Sequence, residues 1–397
     1  MHNEKLLIDL LHSSDLDCLV FAESQNESAI HFLSFRRFAS VQILVMGSPV
    51  TSGSPSIDYY LSGDLLEHPF RTYLSGDQLV KEHYTEQVVL FNGQAISYPQ
   101  SQEFELMNTT IPAIIEIENA FKEQGGKSNV YMCFQSVFKL HPIFDNIIIK
   151  ILFLDPNAII ILQSPSNVNL KQKIKSRIRK AIQNFKCFNG TMKCNLNLET
   201  IWKRILFIER VPSDLVPQIL HKAHVILQPF PFDGSRTAFI AIEAGIPVIT
   251  FPMEYLRGRM TANFLSSLDI EDFDDDPEVS TDICCIAKSP SDYIAKALRM
   301  GIDDIYREKI SKAFVARRDR LYRQETHINI ATEWKRFLLR AIVGITKEDI
   351  FSNDTWTTFL KDKYFSSSSL EEDLDEDVIM EQHRWHRRSF HFEAEHQ

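Results

Sequence analysis

The stretch Pro229 to Thr237 (PFPFDGSRT) holds the residue types needed to seat a phosphate. It follows a short apolar run, turns at Gly234, and opens a helical pattern that stops at Gly245 ahead of Pro247. The first amides of a helix have no partner within it, and the helix dipole is positive there, so Ser235 to Thr237 would receive an anion. Arg236 and the hydroxyls of Ser235 and Thr237 add donors that suit a diphosphate. The same pattern also describes an ordinary strand–helix turn with a Ser or Thr cap, and pattern alone leaves both readings open.

Other reactive side chains are scattered. Of 13 His, His68, His141, His221 and His224 fall in structured runs. An imidazole poised near neutrality is the usual acid–base group, although a lone His beside a strand is more often structural. The six Cys are Cys18, Cys133, Cys187, Cys194, Cys284 and Cys285. None forms a Cys-x-x-Cys pair, and Cys187 and Cys194 have no His at ligand spacing, so no metal site is expected. Most lie in or beside apolar segments, which points to reduced thiols and a cytoplasmic or nuclear setting.

The elements that must position these groups alternate along the chain. Leu16 to Phe21, Val41 to Met46, Ile57 to Leu61 and Gln87 to Phe91 read as strands, with a helix over Ser28 to Phe38. Such short apolar runs suit a parallel sheet buried on both faces. A second series begins near residue 129, with strands at Val130 to Phe134, Ala158 to Leu162, Ile205 to Ile208, Val225 to Leu227 and Pro247 to Phe251. Helical patterns separate them at 143–154, 169–185, 213–222, 236–245 and 254–268. This alternation predicts an α/β chain with a doubly wound sheet. Residues 93–128 read as a connection with a hinge at Gly125–Gly126. Residues 289–342 read as helices ending on a stripe of Trp334, Phe337, Leu338 and Ile342. The composition beyond Ser366 predicts a tail that cannot order itself.

Bulk properties narrow the classes. The chain has 397 residues, enough for more than one core, and is 44% apolar with 28 Phe. A net charge of −10 argues against a nucleic-acid partner. Asn169 to Lys186 is basic, but Leu170, Ile174, Ile178 and Ile182 recur at helical spacing. It reads as an amphipathic helix packed on the sheet. No run of about 18 clean apolar residues exists, so no membrane partner is expected.

Several segments resemble, in order, the catalytic region of the O-linked N-acetylglucosamine transferase (SPINDLY-like) family. Residues 229–237 are similar to its "PFPF-x-G-[small or His]-T-T". Glu243 to Pro252 (EAGIPVITFP) is similar to "x-x-G-x-P-V-V-T-x-P", and Glu254, Leu256 and Arg259 fall on "G-E-x-L-x-S-R". Arg36 to Asp64 resembles another family segment through Gln42, Gly47, Pro49, Thr51, Ser52, Gly53, Asp58 and Tyr59. Glu82 to Phe91 resembles "Y-S-E-K-L". Val130 to Pro142 (VYMCFQSVFKLHP) is similar to "V-Y-x-x-F-N-Q-x-x-K-I-x-P".

The resemblance implies a GT-B architecture of two Rossmann-like lobes with C-terminal helices, the first lobe being incomplete. Residues 1–120 would form the partial first lobe and connection, 121–300 the second lobe, 301–345 the C-terminal helices and 346–397 the tail. It implies an inverting transfer of a sugar, N-acetylglucosamine from UDP-N-acetylglucosamine, to Ser or Thr of a protein acceptor, with no metal. Lys139 would neutralise the departing diphosphate. Gln135, Ser136, Gly234, Ser235, Arg236, Thr237 and Glu243 would bind the UDP-sugar. Gly47, Pro49, Thr51, Ser52 and Gly53 would shape the acceptor side. The family's Gln is Ser136 here, with Gln135 adjacent. Its acid near the ribose falls on Ile240, with Glu243 one turn on. Family members also carry a His-Pro loop upstream of the matched region. With that loop beyond the chain's start, a replacement base would have to come from the other His, of which His141 and His83 flank matched segments. The alternatives are a non-catalytic relative that binds nucleotide or acts as an interaction module, and a GT-B enzyme using another sugar donor.

Overall fold

The computed structural model describes residues 2–22, 24, 28–47, 49–63, 65–67, 83–91, 111–124, 126–185, 198–270, 284–322 and 324–343. His68, Gly125, Cys187, Cys194 and the expected tail lie outside these residues. In chain order the first elements are α1 (His2–Ser13), β1 (Leu16–Phe21), α2 (Ser28–Leu33), β2 (Ala39–Val45), β3 (Tyr59–Gly63) and β4 (Gln87–Phe91). There follow α3 (Pro112–Glu123), β5 (Asn129–Cys133), α4 (Pro142–Leu154), β6 (Ala158–Gln163), α5 (Val168–Asn184), α6 (Leu198–Lys203) and β7 (Ile205–Ile208). Next come α7 (Val216–Leu220), β8 (Val225–Leu227), α8 (Arg236–Glu243), β9 (Val248–Ile249) and α9 (Met260–Leu268). The last are α10 (Pro290–Ile302), α11 (Asp304–Arg317) and α12 (Gln324–Val343). The chain divides into two compact units, Met1–Ser97 with Gln324–Gln397, and Tyr98–Arg323.

In the first unit, β1 to β4 form a parallel sheet in sequence order. Ile43, Leu44, Tyr60, Leu61 and Phe91 are fully buried, as strands covered on both faces require. Two residues of the matched segment hold the entry to β2. The buried Gln42 amide accepts the Phe38 N–H at 2.7 Å and donates to Ser56 O at 2.8 Å. Asp58 accepts the Gln42 N–H at 2.7 Å and pairs with Arg37. The helix expected over Ser28 to Phe38 stops at Leu33: the Phe35 and Arg36 amides tighten onto the Phe32 and Leu33 carbonyls, and the Phe38 amide goes to the Gln42 side chain. α12 belongs to the same unit, with Phe337 5.1 Å from Tyr59 and Trp334 5.6 Å from Phe91, ring to ring.

The second unit is built on a parallel sheet of order β7-β6-β5-β8-β9. Its central strands bury Val130 to Cys133 and Ala158 to Leu162 completely. α4 carries Phe144, Ile148, Ile151 and Leu152 into the core. Its buried Asp145 is met by Arg177 of α5 through two 2.8 Å bonds. Burial pushes the Asp145 pKa up, and the guanidinium opposes it. The basic helix α5 is a packed element: Ile174, Ile178 and Ile182 are buried, while Leu170 falls off the stripe. Lys175 and Arg179 lie over the rings of Phe207 and Trp202 at 4.9 and 4.3 Å, so their stems cover apolar surface.

Three helices were not anticipated from sequence: α1, α3 inside the stretch read as a connection, and the short α6. The stretch 289–342 is broken into α10, α11, a single turn at Arg318–Leu321, and α12. The first break follows from Asp303, whose side chain accepts the Tyr306 N–H at 2.9 Å and caps α11. Cys18 and Cys133 are free, whereas adjacent Cys284 and Cys285 bring their sulfurs together as a vicinal pair, against the expectation of separate thiols. No helix among the described residues is long and apolar enough to cross a membrane.

Candidate functional site

The strand order of the second unit reverses at β5: β6 and β7 lie to one side, β8 and β9 to the other. Ligands of open α/β sheets bind in the crevice outside the carboxyl ends of the strands at such a reversal. The two segments that leave those ends are 134–141, after β5, and 228–235, after β8. They carry five of the eight residues expected to bind the UDP-sugar: Gln135, Ser136, Lys139, Gly234 and Ser235.

Four of these residues and their neighbours form one cluster. Lys139 ends a single turn over Val137–Lys139, and its Nζ donates to Asp233 O at 2.8 Å. The ammonium also lies 4.5 Å from the centre of the Phe232 ring. Gln228 Oε1 accepts the Gly234 N–H at 2.9 Å and the buried Gln135 Nε2 at 3.3 Å. Gly234 is required by this approach: a Cβ there would stand 2.0 Å from Gln135 Nε2 and 2.6 Å from Gln228 Oε1. Ser136 heads the turn and its carbonyl accepts the Lys139 N–H at 2.9 Å. Burial pushes the Lys139 pKa down, while the Asp233 charge holds it up.

The loop 228–235 is fastened from three sides. The buried Tyr293 hydroxyl, on α10, donates to Gln228 O at 3.0 Å. Phe230 packs edge-on against Phe144 and Phe251. Asp233 N donates to Arg257 O at 3.0 Å, and its carboxylate Oδ2 accepts the Thr261 N–H, at the start of α9, at 2.9 Å. Thr261 Oγ1 in turn donates to Gly234 O at 2.9 Å. Replacing Tyr293 with Phe strands the Gln228 carbonyl in the core. The expected cost is about 1–3 kcal/mol of unfolding free energy, read by urea denaturation; an unchanged midpoint would show that the loop does not depend on this bond.

Ser235 stands at the N-cap position of α8 without a side-chain cap hydrogen bond, and the exposed Arg236 and half-buried Thr237 occupy the first turn. Glu243 sits at the other end of this helix, about 10 Å further along its axis. Ile240, on the expected ribose position, is buried. The His candidates have other settings. His141 Nδ1 accepts the Ile143 N–H at 3.2 Å and caps α4. His221 and His224 have pKa values lowered by burial, and His224 lies at the amino end of β8, away from the crevice. His83 is half-buried in the first unit.

In the first unit, Gly47 is exposed and Pro49 half-buried on the segment leaving β2. Thr51 and Ser52 converge on the buried Glu86, which accepts Thr51 Oγ1 and the Ser52 N–H, each at 2.7 Å, and also the Ser52 hydroxyl. Gly53, at φ 66°, turns the loop in the left-handed region. Glu86 lay within a matched segment but was assigned no role. Asp233, Gln228 and Thr261 were likewise missed; Asp233 falls on the variable position of the phosphate-loop pattern.

No family model matches the chain, and no curated protein matches its sequence. Solved structures do. A mutant O-GlcNAc transferase from Thermobaculum terrenum superposes with a TM-score of 0.62 at 18% identity, covering 86% of this chain and 56% of that one. Sucrose-phosphate synthase from Thermosynechococcus elongatus gives 0.50 at 8% identity, covering 86% and 78%. The chain thus spans a little over half the length of the first of these proteins. What they share with it is architecture: this chain has the α/β GT-B fold.

Proposed function

We propose that this chain transfers a sugar from a nucleoside diphosphate donor held in the second unit, at the crevice between β5 and β8. The observation that carries the reading is the bond from Lys139 Nζ to Asp233 O, which sets an ammonium two residues ahead of the cap of α8. Sugar transfer breaks the bond between the anomeric carbon and the distal phosphate oxygen. Negative charge grows on that oxygen as the acceptor hydroxyl attacks from the opposite face. A fixed ammonium and the first amides of α8 are more favourable to that charge than to the ground state, and this difference lowers the barrier.

In the finer form of this reading, the donor is UDP-N-acetylglucosamine and the acceptor a Ser or Thr hydroxyl of a protein, with inversion at the anomeric carbon. Gly47 to Gly53 shape the acceptor side, and no metal is called for. A second reading, a relative that binds nucleotide without turnover, is favoured by one observation: Ile240 offers no carboxylate to a ribose. Calorimetry with UDP, followed by assay of UDP release from UDP-N-acetylglucosamine with a Ser/Thr peptide, tests both. Heat with turnover supports the first reading, heat without turnover the second. No heat with any uridine nucleotide overturns both.

A further inference from the structure

The Asp233 carboxyl is the least explained group of the second unit. Its residue is 2% exposed; Oδ2 accepts the Thr261 N–H, and the Thr261 hydroxyl and Met260 N–H also favour the charged form, yet Oδ1 is buried and makes no hydrogen bond. Close by, Gln228 Nε2 is buried and unpartnered as well. The main-chain carbonyl of the same Asp233 holds the Lys139 ammonium at 2.8 Å. An acid and the cation assigned to the diphosphate therefore share one residue's surroundings. A diphosphate entering that space would bring a second anion up against a carboxylate that has little water to screen it.

We propose that the Asp233 carboxyl takes up a proton from solvent when a nucleoside diphosphate occupies the crevice, so that Lys139 faces one anion and not two. The inference rests on the donor site described above. The charged and titratable groups on the elements packed around Asp233 are few. Lys139 comes from the turn after β5. The Cys133 thiol, at the end of β5, is pushed by burial up to about 12 and stays neutral. Arg257 lies over the Tyr255 ring, Arg259 donates to Met253 O, and Arg236 is exposed at the start of α8. Burial raises the Asp233 pKa to about 7, against the opposing pull of the Thr261 N–H and Lys139. The carboxyl is thus divided between its two forms at neutral pH. An added anion favours the neutral form, and the proton count balances as one proton from buffer per carboxylate discharged.

The sign follows. Below about pH 6 the carboxyl is already neutral, and nucleotide binding takes up nothing. Above about pH 7 binding must bring in a proton, so affinity falls as pH rises, approaching about tenfold per pH unit. The test is calorimetry with UDP at pH 6.0, 7.0 and 8.0 in buffers of different ionisation enthalpy, on the full chain and on Asp233→Asn. UDP ionises identically in both, so the difference between the proteins isolates the carboxyl. The expected difference is near zero at pH 6.0 and rises toward about one proton per UDP at pH 8.0. Thermal unfolding of the variant establishes that it is folded, and Thr261→Ser, which leaves the carboxyl, the Thr261 N–H and the hydroxyl in place, should retain the uptake. Equal proton counts for the two proteins across this range would overturn the proposal alone. Absence of UDP binding by the full chain would overturn both it and the donor site.

Discussion

Lys139→Ala is expected to lower turnover of a UDP-sugar by at least about 100-fold, the scale seen when one preorganised donor to developing charge is removed. The lysine is held from two directions, by Asp233 O at 2.8 Å and by the Phe232 ring at 4.5 Å. Its position is thus set before any ligand arrives, and little reorganisation is left for the reaction itself. Lys139→Arg should recover little, because a planar guanidinium cannot occupy a point fixed for a compact ammonium. The loss should fall mainly on kcat, with UDP affinity reduced far less, since the ammonium matters most as the leaving oxygen gains charge. Steady-state kinetics of UDP release, beside UDP calorimetry on the same variant, would check the division. Unchanged turnover in Lys139→Ala would remove the lysine from the chemistry.

The second large effect is expected at Gly234. Its Cα faces the contact of two glutamine side chains, and an alanine methyl would overlap both, at 2.0 Å from Gln135 Nε2 and 2.6 Å from Gln228 Oε1. Gly234→Ala must therefore displace the pair or move the loop. The expected cost is about 1–3 kcal/mol in stability, as for other overpacked cores. UDP affinity should fall by at least about tenfold, because the Gly234 N–H to Gln228 bond fixes the segment that leads into α8. Adding Gln135→Ala removes the nearest clashing atom. The double variant should regain part of the affinity, whereas independent sites would show additive losses. Urea denaturation and calorimetry on the three variants separate these outcomes.

Much of the architecture could be read from hydrophobic runs. Leu16–Phe21, Gln87–Phe91, Ile205–Ile208 and Val225–Leu227 are strands with the boundaries expected. Short, largely apolar runs bounded by polar residues mark such strands whether they are buried throughout, as β8 is, or partly exposed, as β1 is. Helix ends were less legible. α2 ends at Leu33, the Phe35 and Arg36 amides just beyond it tighten onto i−3 carbonyls, and the Phe38 amide goes to the Gln42 side chain, a contact that no helical pattern contains. α1 carries Leu6, Leu7, Leu10 and Leu11 at helical spacing, a legible signal that was passed over. At the site, Gly234 could be found from the strand–turn–helix pattern, and Lys139 only through the resemblance of Val130 to Pro142 to a family segment. Asp233 could not, because its importance depends on burial and on a hydrogen bond to α9, 28 residues away in sequence. The same applies to Glu86, whose partners lie 34 and 35 residues earlier.

The bond from Tyr293 to Gln228 makes the loop and α10 a single cooperative piece. With Asp233 tied to α9 as well, the loop cannot open like a surface flap without loosening two helices. In hydrogen exchange, the Gly234 amide should therefore behave as a core amide and exchange at the slow rate of the sheet around it. Rigidity of this kind means that any breathing needed to admit or release a ligand must come from elsewhere in the chain.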